Sequence, residues 1–300
     1  MLNRVFKVLK SIVLGKFTLA EPSKKKLLIW DNNLASCILR YVNKKDATIL
    51  HLREYINLNI LFKNFFKLKF STLDYFDSYI DKVDPKVVVT FTDNAELFYK
   101  LKKSNKRIKI FIQNAWRSAD NDIFGRYQKK TKIKNFYVDH MLVFNQYIGQ
   151  KYNSFIKGNY KPIGSFRSNL IPIKKKLAKY DIVYISTFRE NPHTKKINEK
   201  YSVNSIQAQL AKYILNFSKK NKRKFVIYGK SSPKKEKAFY KKFLGNEGWT
   251  YIAKNPKITD DNIKIRQTYS FIDKCKLVVS IDSTLAYEAI QRNKKTIFFD

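Results

Sequence analysis

The sequence predicts an α/β protein of two doubly wound parallel-sheet domains facing across a cleft. Three observations predict it. Short apolar, β-branched runs alternate with longer amphipathic stretches, a pattern that specifies strands covered by helices on both faces. The alternation runs twice, on either side of an aperiodic segment, Gly164–Lys179, that carries Pro172 and a lysine run. The length, 300 residues, suits two domains of about 120–150 residues each. A hydrophobic content of 44% is enough to build both cores.

The elements follow in order. Lys26–Trp30 (KLLIW) is a strand and Leu34–Val42 a helix. Ala47–Leu52 is a second strand. Leu73–Val83 is a helix and Lys86–Phe91 (KVVVTF) a buried strand. Ala95–Lys102 is a helix, and Arg107–Gln113 and Met141–Phe144 are strands. The second half repeats the theme. Asp181–Ser186, Lys224–Gly229, Trp249–Ala253, Leu277–Ile281 and Thr296–Phe299 read as strands. Val203–Lys219, Lys234–Leu244, Ile263–Asp273 and Thr284–Arg292 read as the helices between them. Both halves are thus Rossmann-like. The domains are placed at 26–168 and 181–300, with a linker at 169–180. Asp300 follows directly on an apolar strand with no closing helix, so a truncated C-terminal domain is expected.

Residues 1–25 carry Leu2, Val5, Phe6, Leu9, Ile12, Val13 and Phe17 at helical spacing. Arg4, Lys7, Lys10 and Lys16 break that apolar run, so it is no signal peptide. A basic amphipathic helix is expected there, lying on an anionic membrane face or on the protein's own surface. No stretch approaches the roughly 18–20 apolar residues that span a bilayer.

The net charge is +37, from 61 basic and 24 acidic residues. Such a charge attracts polyanions. Only 11 of the 61 cations are Arg, the residue preferred for forked recognition of bases and phosphates. Lys, Asn, Ile, Phe and Tyr share AT-rich codons, so part of the charge is compositional. No zinc knuckle, helix-turn-helix or aromatic RNA-binding pattern accompanies it, and no specific nucleic-acid partner is expected. Two separated cysteines, Cys37 and Cys275, fit a reducing cytoplasmic compartment and form no metal motif. Three scattered histidines form no metal-binding pattern, Asp120–Asp122 lacks further ligands, and His140 reads as a core residue.

The strongest local signal is Ser280–Ala289 (SIDSTLAYEA). A buried strand runs into small polar residues and then a helix that Ser283 or Thr284 would cap. A helix N-terminus with hydroxyl side chains suits a phosphate, and Glu288, a turn further on, suits ribose hydroxyls. An ordinary helix cap with a surface Glu is the plainer reading. This stretch resembles the donor-site motif of GT-B glycosyltransferases of bacterial surface-carbohydrate biosynthesis. Phe111–Ser118 (FIQNAWRS) with Asp122–Gly125 is similar to that family's Q-N-G-x-R…D loop, with Ala115 in place of Gly. Val143–Asn145 and Ile163–Asn169 (IGSFRSN) resemble its approach to the inter-domain linker.

The resemblance implies a glycosyltransferase moving a sugar from a nucleotide-sugar to a growing surface polysaccharide or lipid-linked saccharide, without cofactor or metal. The C-terminal domain would bind the donor through Ser186, Thr187, Arg189, Gly229, Lys230, Asp282, Ser283, Thr284 and Glu288. Cations and the helix terminus would stabilise the leaving nucleotide. The N-terminal domain would bind the acceptor through Asn32, Asn94, Gln113, Asn114 and Arg117. Asp31, Asp93 and Asp122 are the candidate bases for the acceptor hydroxyl; each also suits an ordinary turn. The expected location is cytoplasmic, peripheral on the inner face of the membrane. The other readings are a non-hydrolysing sugar-nucleotide epimerase of the same fold, a non-catalytic polyanion- or nucleic-acid-binding protein, and an inactive scaffold for an acceptor polymer.

Overall fold

The structure is a computed structural model that describes residues 16–51, 55–117, 136–174, 177–190, 203–229, 233–253, 258 and 260–299. Of the sequence expectations, the candidates Asp122 and Lys230 and most of the N-terminal helix lie outside those residues. The chain divides into two units, Met1–Phe166 and Arg167–Asp300.

The first unit is built on a six-stranded parallel sheet. Its strands are β2 (Leu27–Ile29), β3 (Ala47–Ile49), β5 (Val87–Thr90), β6 (Ile108–Ile112), β7 (Tyr137–Val143) and β8 (Lys157–Pro162), in spatial order β3-β2-β5-β6-β7-β8. A two-stranded parallel pair, β1 (Lys16–Thr18) with β4 (Tyr55–Asn57), stands apart. The helices are α1 (Ala35–Ile38), α2 (Leu58–Phe66), α3 (Thr72–Val83), α4 (Glu96–Lys100) and α5 (Gln146–Asn153), and the short α6 (Phe166–Asn169) begins at the unit's last residue. The expected amphipathic helix does not extend through residues 16–18, because that segment is β1.

Alternation along β2 shows why the sheet is covered twice. Leu28 and Trp30 enter one core with Phe76, Ile80 and Phe98. Leu27 and Ile29 enter the opposite core with Ala35, Ile38 and Val89. A capping box starts α3: the Ser71 side chain accepts from Asp74 N–H while the Asp74 carboxylate accepts from Ser71 N–H.

The second unit holds five parallel strands in order β11-β10-β9-β12-β13. These are β9 (Tyr180–Ile185), β10 (Phe225–Gly229), β11 (Thr250–Ala253), β12 (Cys275–Ser280) and β13 (Lys295–Phe298). Its helices are α7 (Val203–Lys220), α8 (Pro233–Leu244), α9 (Asp261–Ile272) and α10 (Thr284–Gln291). Along α7, Gln207, Leu210, Ala211, Ile214, Leu215 and Ser218 are buried, the stripe of a helix lying on a sheet.

The segment expected as a linker belongs with the second unit. Arg292, 1% exposed, donates through Nη1 to the Ile171 carbonyl at 3.0 Å and to the Ser168 carbonyl and hydroxyl at 3.4 Å. Its fork grips Asp273 with two bonds of 2.8 Å. His140 is exposed, not in the core; a register shift between Tyr137 and His140 separates the buried Val138 and Met141 from ordinary alternation.

Candidate functional site

In each sheet one strand has its sequence neighbours going opposite ways, and the crevice at that switch point is where such sheets bind ligands. In the first unit β3 lies on one side of β2 and β5 on the other. In the second, β10 and β12 flank β9. The loops after β2 and β5, and after β9 and β12, lie at these switch points, and the remaining candidates follow β6 and close β10.

In the first unit, Asp31 and Thr92 face each other across the switch point. The Thr92 hydroxyl donates to Asp31 Oδ2 at 2.5 Å. Asp31 Oδ1 accepts from Asn33 N–H at 2.7 Å, and Asn33 Nδ2 reaches Thr92 Oγ1 at 3.4 Å. Asp31 is half-buried, while Asn32 and Asn94 are exposed beside it. This leaves an oriented carboxylate open to solvent among amides.

Asp93 is different, and the expectation that it acts as a base is corrected. Its side chain is 0% exposed. Arg117 grips it with Nε at 3.1 Å and a second, shorter bond from Nη2, and the Tyr152 hydroxyl donates to Oδ2 at 3.0 Å. Burial and the Asp93 charge push the Tyr152 hydroxyl well above its ordinary pKa, so it stays a donor. A carboxylate so enclosed cannot meet an acceptor hydroxyl. Arg117 is committed to it, which removes both fork contacts from saccharide binding. Gln113 is also structural: 1% exposed, it accepts from Phe144 N–H at 2.8 Å and donates to the Ala115 carbonyl at 3.0 Å. Asn114 remains half-buried in the same loop.

In the second unit the end of β12 is tied to β9 and to the next helix. Ser280 Oγ donates to the Ile185 carbonyl at 3.3 Å and accepts from Ser283 N–H at 3.2 Å. Ser283 caps α10, its hydroxyl accepting from Leu285 N–H at 3.3 Å. Asp282 is exposed and Thr284 half-buried at the positive end of the helix dipole. Glu288 is 3% exposed and paired with Arg167 Nη2 at 2.9 Å. Glu288, expected to meet ribose hydroxyls, instead lies buried with its carboxylate paired to Arg167.

Ser186 is likewise internal. Its hydroxyl lies 2.7 Å from the Tyr240 hydroxyl and 3.2 Å from Gln207 Oε1, and it accepts from Phe188 N–H at 3.1 Å. Gln207 Oε1 also accepts from Thr187 N–H at 2.8 Å. The network shapes the turn after β9 and leaves Thr187 half-buried and Arg189 exposed on its rim. Gly229 is required for space: a Cβ there would stand 2.0 Å from the Tyr251 hydroxyl and 2.9 Å from Glu236 Oε2, two groups bonded to each other at 3.0 Å.

Sequence reasoning missed Thr92 as the partner of Asp31, Tyr152 as the partner of Asp93, and Arg292. The one available signal was the scarcity of Arg, since Arg117, Arg167 and Arg292 each hold a buried carboxylate. Among the described residues no group of three or more His, Cys, Asp or Glu is placed to hold a metal ion. Among them, too, no helix is long and apolar enough to cross a membrane.

Solved structures and sequence relatives similar to this chain come from several kinds of protein. The S. aureus MnaA–UDP co-structure is similar with a TM-score of 0.52 at 11% identity, covering 92% of this chain and 78% of that one. The wall teichoic acid polymerase TagF, as its H444N variant, gives 0.47 at 14% identity, covering 94% and 72%. The chaperone SurA of Buchnera aphidicola subsp. Schizaphis graminum (strain Sg) is 24% identical over 92% of this chain, which spans 54% of its length. That identity establishes no kinship. A family described as "putative O-antigen biosynthesis protein" matches residues 110–300, more than half of the chain and the whole second unit. The chain belongs to that family.

Proposed function

We propose that this chain is a glycosyltransferase of surface-glycan synthesis. The second unit takes a nucleotide-sugar, and the first takes a saccharide or lipid-linked saccharide acceptor. The observation that carries this reading is the Ser283-capped terminus of α10 at the switch point of the second sheet, backed by the Arg167–Glu288 pair. The acceptor hydroxyl attacks the anomeric carbon, the bond from that carbon to the donor phosphate oxygen breaks, and the hydroxyl proton passes to Asp31. Negative charge develops on the leaving nucleotide, where the α10 terminus and Arg189 stabilise it. Asp31 is the base because, among the described candidate carboxylates, it is the one both oriented and open. We place the reaction in the cytoplasm, at the inner membrane face, with no metal required; two buried and widely separated cysteines, Cys37 and Cys275, fit a reducing compartment.

A thermal-shift screen against UDP-, CDP-, GDP-, CMP- and dTDP-sugars tests the donor site, since a ligand of the folded state raises the midpoint by mass action. A shift with one nucleotide class, lost in Ser283→Ala, is expected. Equal shifts with every phosphate ligand, erased by modest salt, would mean that +37 merely attracts anions. Asp31→Asn is expected to keep the nucleotide shift and lose turnover by about 10²–10⁴-fold. The second reading is a sugar-nucleotide epimerase of the same fold; the similar MnaA structure is a co-structure with UDP. An epimerase would interconvert the sugar-nucleotide without acceptor, whereas a transferase releases nucleotide only when an acceptor is present.

A further inference from the structure

Helix α2 is turned inside out. Of its nine residues, the buried ones are Ile60 and Asn64. Phe62, Phe65 and Phe66 are 53%, 62% and 83% exposed, and the chain beyond adds Leu68 at 79% and Phe70 at 69%. The Phe65 ring meets those of Phe66 and Phe70 at 5.9 Å in T-shaped contacts, so the rings stand as a cluster in water. The β1–β4 pair runs into the same region. Asn57 Nδ2 donates to the Ala20 carbonyl at 2.7 Å, and Asn59 Nδ2 is bonded to the Leu19 carbonyl. Leu19 and Phe17, 64% and 45% exposed, are thereby tied to the start of α2. Soluble proteins rarely leave so continuous an apolar patch uncovered without a use for it.

The charge pattern selects the occupant. Between residues 55 and 70 stand Lys63, Lys67 and Lys69 and no carboxylate. Among the described residues, the acids beside the patch are engaged: Glu21 with Lys63 and Lys82, and Asp74 with Ser71. Lys67, Lys69 and the rings are exposed together. Protein interfaces deplete lysine among their aromatic anchors. Phe and Leu interleaved with Lys is the composition of a segment that sinks its rings into a bilayer interface while its ammonium groups meet anionic headgroups. We propose that the surface formed by α2, the 67–70 turn and residues 17–19 docks the chain on an anionic membrane. This stands on the surface alone and is independent of the proposed transfer reaction.

The test uses the full chain with Leu68→Cys, labelled with an environment-sensitive dye; Cys37 and Cys275 are buried. Vesicles of phosphatidylcholine alone are compared with an equal mixture of phosphatidylcholine and phosphatidylglycerol. The dye is expected to shift to the blue on the mixed vesicles only. Phe65→Ser/Phe66→Ser, at exposed positions, is expected to keep the unfolding midpoint and lose vesicle affinity tenfold or more. Binding that leaves the dye in water, or that survives the double substitution, would reduce the contact to the charge of the whole chain and overturn the proposal. A blue shift without vesicles that grows with protein concentration would also overturn it, by assigning the patch to a second copy of the chain.

Discussion

Arginine is the residue that this lysine-rich chain spends where geometry matters. Arg107, Arg117, Arg167 and Arg292 each hold a carboxylate, and Arg117 and Arg292 do so through both oxygens, because a planar fork can satisfy two carboxylate oxygens at once and an ammonium cannot. Arg292 is the most enclosed, with Asp273 at 2% exposure and the Tyr269 ring 4.9 Å from its guanidinium carbon. Removing it leaves the Asp273 charge buried, so Arg292→Ala is expected to cost about 3–5 kcal/mol in urea unfolding, and Arg292→Lys should recover little of it. Lys109 shows the opposite problem. It is 3% exposed, donates to the Leu101 carbonyl at 2.8 Å, and burial pushes its pKa from 10.5 down to about 8 despite Asp139 and Asp77. Its unfolded form holds the proton more tightly. Relative to Lys109→Met, the wild type should therefore gain stability as pH rises from about 8 to 10.5, by up to about 3 kcal/mol, and show a constant deficit below that window. Cys275 is buried and its thiol is pushed up to about 12, so alkylating reagents should label it only in denaturant. None of these environments was legible in the sequence. Asp31 and Asp93 look alike as Asp-Asn pairs after apolar strands, and only burial separates an open carboxylate from a clamped one.

At the scale of elements, the strands that read clearly are those buried on both faces, such as β5, β9 and β10, where continuous apolar runs leave little choice. The ends of α3, α8 and α10 also fell close to their expected bounds, because capping residues such as Ser71 and Ser283 mark them. The elements that escaped have polar or inverted patterns. β8 reads KGNYKP because it is an edge strand paired with β7 alone. Its Gly158 has φ +152°, and a Cβ there would stand 2.1 Å from the Val138 carbonyl. Gly158→Ala is expected to destabilise by more than about 1 kcal/mol, measured as a lower urea midpoint with unchanged slope. Helix α2 escaped because its apolar face points to solvent, which no burial-based reading anticipates.

For the whole molecule, charge is the dominant global property. A net +37 repels itself in the compact state, and salt screens that repulsion over a Debye length of about 10 Å at 0.1 M. The thermal midpoint should therefore rise as salt is added from low ionic strength; a flat or falling midpoint would show that local pairs outweigh the global field. The sequence by itself determined the class of fold. Period-two and period-3.6 patterns, repeated in two halves, leave room for little besides two covered parallel sheets, and the Ser280–Ala289 pattern marks a serine-capped helix after an apolar strand. Tertiary structure decided which candidates face solvent. Strand order brought Asp31 beside Thr92 and Ser280 beside Ile185, and burial closed Asp93, Gln113, Ser186 and Glu288 into internal hydrogen-bond networks. Local pattern encodes which face a residue presents, but access to a ligand depends on partners dozens of residues away, and those become neighbours only when the sheet has formed.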